Sequence, residues 1–76
     1  MKSYKFTTKD GEAYKVRFYE TGGYTITDKN GEHEAGIWRR TEGGYEGRGY
    51  AENFAHFSFK MEDLAYWLLR TFFYIK

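Results

Sequence analysis

His56 and Ser58 are the nearest thing in the chain to a base beside a nucleophile. The alternation around them predicts a strand, which puts both side chains on one face. Residues two apart in a strand nevertheless stand about 6 to 7 Å from each other at the backbone, and the local sequence supplies no acid to orient the imidazole. A second cluster, Glu32-His33-Glu34, has metal-ligand residue types. Alternate strand residues face opposite ways, so this trio does not converge on one ion. The glycine-rich run Gly43-Gly44-Tyr45-Glu46-Gly47-Arg48-Gly49 lacks the Gly-Lys-Ser/Thr end of a phosphate-binding loop, and it lacks the dinucleotide-binding spacing. With only two His, two Ser and no Cys, the sequence predicts no catalytic set, no metal and no cofactor.

Binding chemistry is better represented. Phe, Tyr and Trp number seven, eight and two, against seven Val, Ile and Leu together, so aromatics must build much of the core and still leave a surplus. One group of surplus residues falls on a sheet face that carries Lys5, Lys15, Arg17, Tyr19 and Trp38, with Arg40 near its end. Cations beside aromatic rings suit a single-stranded nucleic acid, whose phosphates meet lysine or arginine while its bases stack. A second group lies on the C-terminal segment, where Tyr66, Trp67, Phe73 and Tyr74, with Arg70, fall away from the stripe centred on Leu68. Tyr45, Arg48 and Tyr50 add a third group in the glycine-rich region. Trp, Tyr and Arg are the side chains that dominate protein interfaces.

These side chains need elements to position them. Residues 1–40 read as an antiparallel meander, with Tyr4 and Phe6 sharing a face with Tyr14, Val16 and Phe18. Thr8-Lys9-Asp10-Gly11 suits a turn with Gly11 in a left-handed bulge, which sets Phe6 opposite Tyr14 and Lys5 opposite Lys15. Tyr19-Glu20-Thr21-Gly22 repeats that geometry and pairs Phe18 with Tyr24 and Val16 with Ile26. A two-residue Asn30-Gly31 loop would then match Ile26 with Ala35 and Tyr24 with Ile37, leaving Trp38 outside. Residues 41–53 read as a long loop, and 54–59 as a short strand with Ala55, Phe57 and Phe59 inward. Residues 60–76 read as a helix, since Met61, Leu64, Ala65, Leu68, Phe72 and Ile75 recur at three and four, with Glu62 and Asp63 in the first turn. An alternative makes 71–76 a last strand. The predicted fold is α+β, one domain over 1–76: a four- or five-stranded antiparallel meander with a C-terminal helix packed on one face.

A chain of 76 residues has room for one core. Its net charge is +1, from 12 basic and 11 acidic residues, which is weak for a dedicated nucleic-acid binder. The N-terminus has no apolar signal segment, and the apolar stretch from Leu64 to Ile75 is broken by Arg70 and too short to span a bilayer. The expected location is therefore cytoplasmic, away from membrane. The leading expectation is a non-enzymatic module that binds a protein partner through Tyr45, Arg48, Tyr50, Tyr66, Trp67, Arg70, Phe73 and Tyr74, as an inhibitor or as a homodimer through the helix. Its size fits phage or mobile-element proteins that block host or defence machinery, anti-CRISPR proteins among them. The alternative is single-stranded nucleic-acid binding on the outer sheet face.

Overall fold

The computed structural model describes residues 1–71 of the 76. Strands β1 (Lys2–Thr7), β2 (Ala13–Phe18), β3 (Gly23–Asp28), β4 (Gly31–Thr41), β5 (Gly44–Gly49) and β6 (His56–Ser58) precede one helix, α1 (Met61–Thr71). The six strands form a single antiparallel sheet in chain order, one or two more than the meander expected from sequence. Residues 72–76, with the expected helical continuation or last strand, lie outside the described residues.

Turn chemistry sets the first two hairpins as expected. Gly11 and Gly22 adopt φ of 84° and 104°, values that glycine tolerates without strain. The Gly11 N–H donates to Thr8 C=O at 3.0 Å and the Gly22 N–H to Tyr19 C=O at 2.9 Å. The resulting register pairs Phe6 with Tyr14, Lys5 with Lys15, Phe18 with Tyr24 and Val16 with Ile26.

The third hairpin departs from expectation. Asp28 pairs with Gly31, so the loop is Lys29-Asn30 and Ile26 stands opposite His33, not Ala35. The Asp28 carboxylate accepts the Asn30 N–H at 2.7 Å, a local turn that starts the loop one residue early. A bulge opposite Tyr24 and Thr25 then absorbs an extra residue in β4. One added residue reverses every following side chain. Gly36 and Trp38 consequently face the core, and Ile37 faces solvent, 41% exposed. Packing favours this choice. Tyr24 uses the space that Gly36 leaves, since a Cβ there would come within 2.8 Å of the Tyr24 ring. Trp38 packs edge-on against Phe18 at 5.5 Å, and its indole N–H reaches the Tyr19 carbonyl at 2.8 Å.

The glycine-rich segment expected as a loop over 41–53 contains β5. Its pairing places Tyr45, Gly47 and Gly49 inward opposite Arg40, Trp38 and Gly36. Helix α1 lies close over Gly47, where a Cβ would be in ordinary contact with Leu68 at 3.4 Å and Leu64 at 3.5 Å. The strand over 54–59 shortens to β6, and its faces are the reverse of those expected. Ser58 is buried opposite Tyr45, while Phe57 and Phe59 stand 47% and 77% exposed.

Helix α1 closes the inner face. Met61, Leu64, Ala65 and Leu68 form the expected stripe, and Leu69 widens it. These side chains join Val16, Phe18, Tyr24, Ile26 and Trp38 in one core, with Tyr4, Phe6, Tyr14, Ala35 and Tyr45 packed around it. The helix touches β5 and β6 and also β1, so the sheet curls around it.

Candidate functional site

The groups expected to act together are divided by this fold. On α1, Tyr66 leans against Phe6 of β1, with ring centres 6.2 Å apart, and against Trp67 at 5.8 Å. Trp67 follows with 46% of its surface exposed. The Arg70 guanidinium lies over the Trp67 ring at 5.2 Å, one helical turn along, as an i,i+3 pair should. Phe73 and Tyr74, expected to extend this face, lie outside the described residues.

The end of the described helix is braced from β6. Thr71 Oγ donates to the Trp67 carbonyl at 2.9 Å and is therefore placed to accept from His56 Nε2, 3.0 Å away. Glu52 Oε2 is 3.6 Å from the same nitrogen. The sequence foresaw no acid beside His56, yet the β5–β6 connection brings Glu52 back to it. Glu52 is itself held by the Gly49 N–H at 2.9 Å. Phe54, 68% exposed, lies 5.8 Å from the imidazole. Contacts thus run from the Phe54 ring through His56 and Thr71 to the Trp67 backbone carbonyl, a shoulder where the helix that carries Trp67 and Arg70 meets the β5–β6 connection.

The three glycine-region candidates scatter. Tyr45 packs inward beside Trp38, with ring centres 6.5 Å apart. Arg48 points to the opposite face, and its guanidinium donates to the carbonyls of Glu52 and Gly49 at 3.3 and 3.4 Å. Tyr50 is 60% exposed and borders a depression shared with Tyr19, Thr25, Glu32 and Glu34.

The outer basic face is altered most. Lys5 and Lys15 do stand opposite each other. Arg17 lies 3.6 Å from Glu32, and the Glu32 carboxylate also accepts the Tyr19 hydroxyl at 2.7 Å and the Thr25 hydroxyl at 2.6 Å. The two hydroxyls first, and then Arg17 and Lys15, hold Glu32 below its ordinary pKa. Glu32, not Glu34, occupies the cross-strand row of Lys5 and Lys15, because the third hairpin is shifted. Trp38 is not a stacking platform on this face: it is 6% exposed in the core. Arg40 follows it onto the inner side, stacked over the indole at 5.0 Å and paired with Glu20 at 3.2 and 3.3 Å. Four of the six residues expected to meet nucleic acid are therefore buried or already paired.

Among the described residues six large apolar side chains beyond Met1 remain exposed, and Ile37, Phe54, Phe57 and Phe59 were not among the sequence candidates. Strand parity alone hid three of them, because one bulge and one strand inversion turned them outward. Among the described residues no group of three His, Asp or Glu side chains is arranged to hold a metal ion. No helix among them is long and apolar enough to cross a membrane. No protein-family model matches the chain, and neither a curated protein nor a solved structure matches it.

Proposed function

We propose that the chain is a non-enzymatic binding module that occupies a surface on a protein partner through the shoulder of Phe54, Trp67 and Arg70. The observation that carries this reading is Trp67, 46% exposed on a helix whose other face is fully packed, with Arg70 stacked on its ring. Trp and Arg head the residue types that carry binding energy at protein interfaces. Mounting them on one braced helix reduces the ordering cost of association, because neither side chain must be collected from a mobile loop. The shoulder suits an apolar ridge with acidic or carbonyl groups at its margin, where the Arg70 guanidinium can donate while its plane stays on the indole. The action proposed is steric occlusion, as when a phage or mobile-element protein blocks a host or defence protein.

Affinity capture with wild-type, Trp67→Ala and Arg70→Ala protein tests the reading. One partner should be retained by the wild type and lost or strongly reduced with both variants, at unchanged circular dichroism. Equal capture by all three would remove the shoulder from the interface.

A further inference from the structure

We propose that the open edge of β1 takes up an extended segment of another protein as an added antiparallel strand, and that it selects a segment with an acidic residue between two apolar ones. This surface is separate from the shoulder and does not rest on that reading. Strand β1 stands first in the sheet order, and among the described residues no strand pairs with its other side. Hairpin geometry fixes which groups face that side. The Thr8 N–H donates to the Glu12 carbonyl at 2.9 Å, so Thr8 and Glu12 are a hydrogen-bonded pair. Bonded and non-bonded pairs alternate along an antiparallel ladder, and the register then commits the backbone groups of Phe6, Tyr4 and Lys2 to β2. Ser3, Lys5 and Thr7 direct their N–H and C=O groups to the open edge. Such a row is a template for strand addition.

The side chains select the occupant. Lys5 lies on the outer face directly opposite Lys15 in a non-bonded pair, the closer of the two cross-strand spacings. Like charges so placed repel. The acid in their row, Glu32, is turned to Arg17 and to the Tyr19 and Thr25 hydroxyls. Among the described residues neither lysine is in an ion pair. A residue paired with Lys5 across the open edge would share its face, so a carboxylate there meets Lys5 on the side away from Lys15. The two neighbours of that residue would point to the inner face beside Tyr4 and Phe6, which are only partly buried. Tyr66 of α1, with its ring centre 6.2 Å from that of Phe6, adds aromatic surface there. The segment that fits therefore reads apolar, acidic, apolar opposite Phe6, Lys5 and Tyr4.

A second copy of the chain does not meet this description. In every face-matched register of β1 against β1, Lys5 meets only serine, lysine or threonine, because the strand contains no acid. Strand β6, the other edge, is His56-Phe57-Ser58 and also lacks one. An edge lysine guards against indiscriminate pairing. One backed by a second lysine across the ladder also disfavours basic strands and leaves an acidic one preferred.

Amide hydrogen exchange read by nuclear magnetic resonance tests the proposal, with the capped peptide Ser-Thr-Val-Glu-Val-Thr-Ser and its counterpart carrying lysine in place of glutamate. Both are used at up to about 1 mM, since a free segment must be ordered on binding. The glutamate peptide should slow exchange at the Ser3, Lys5 and Thr7 amides and leave Tyr4 and Phe6, already bonded to β2, unchanged. It should bind about threefold to tenfold more tightly than the lysine peptide. Lys5→Glu should reverse that preference at an unchanged far-ultraviolet spectrum. Equal affinities, a preference that survives Lys5→Glu, or the absence of alternating protection would overturn the proposal. Protection of the three amides in the protein alone would also overturn it, because the edge would then be occupied already. Partner capture that depends on Trp67 can fail or succeed independently of these results.

Discussion

Replacing Trp38 separates the observed fold from the one its alternating pattern implies. On an outer face, Trp38→Ala would weaken oligonucleotide binding and leave stability nearly unchanged. In the structure the indole is 6% exposed, packs on Phe18 at 5.5 Å and donates to the Tyr19 carbonyl at 2.8 Å. Truncating a buried Trp to Ala costs about 3 to 5 kcal/mol. At roughly 0.05 to 0.15 kcal/mol per residue, a 76-residue domain has about 4 to 11 kcal/mol in total. Trp38→Ala should therefore remove between about a quarter and all of the stability. Trp38→Phe is the more informative change, because it keeps most of the ring but removes one of the two donors to the Tyr19 carbonyl, which retains the Gly22 N–H, for about 0.5 to 1.5 kcal/mol. At about 4 to 8 °C per kcal/mol for a domain of this size, its melting point should fall by roughly 2 to 12 °C. Thermal and urea unfolding followed by circular dichroism would measure both variants. A Trp38→Ala protein within about 0.5 kcal/mol of the wild type, the range of ordinary surface substitutions, would refute the inward placement and the bulge that causes it.

Other expectations follow from single sites. Gly36→Ala should destabilise by about 1 to 3 kcal/mol or more, because its Cβ would meet the Arg48 carbonyl oxygen at 1.9 Å, whereas Gly47→Ala should be far milder with its nearest contact at 3.4 Å. Urea midpoints would rank the two, and equal losses would contradict the close pairing of β4 with β5 at Gly36. Glu20, Asp28 and Glu32 are all held below their ordinary pKa, chiefly by hydrogen bonds from Arg40, Asn30 and Thr25 respectively. A carboxylate with a depressed folded pKa contributes stability above its unfolded value, which is lost as pH falls through the folded value. The urea midpoint should accordingly decline below about pH 4.5, and Glu32→Gln should flatten that decline; an unchanged profile would mean that the Tyr19, Thr25 and Arg17 contacts do not persist in solution. Trp67→Ala should cost less than about 1 kcal/mol, because the side chain is half exposed, while abolishing partner capture.

Local features were legible in the chain alone. Gly11 and Gly22 lie in turns whose residues can adopt little else, and once those turns are set the register of β1, β2 and β3 follows. The helical stripe of Met61, Leu64, Ala65 and Leu68 was equally readable, because its period is carried by the residues themselves. Of the shoulder, Trp67 and Arg70 were legible as surplus on that helix, whereas Phe54, Glu52 and His56 join it only through the β5–β6 connection. Packing between distant segments settled the rest. Strand β5 carries too little side chain to announce itself, and only the fold lays Gly47 against Leu64 and Leu68 and Gly44 against Phe57. Ile37 and Trp38 are adjacent apolar residues, and no local rule says which of the two turns inward. The competition is resolved by the indole N–H reaching the Tyr19 carbonyl and by the Tyr24 ring filling the space over Gly36, contacts to residues at least 12 positions away in the chain. The same non-local balance turned Phe57 and Phe59 outward.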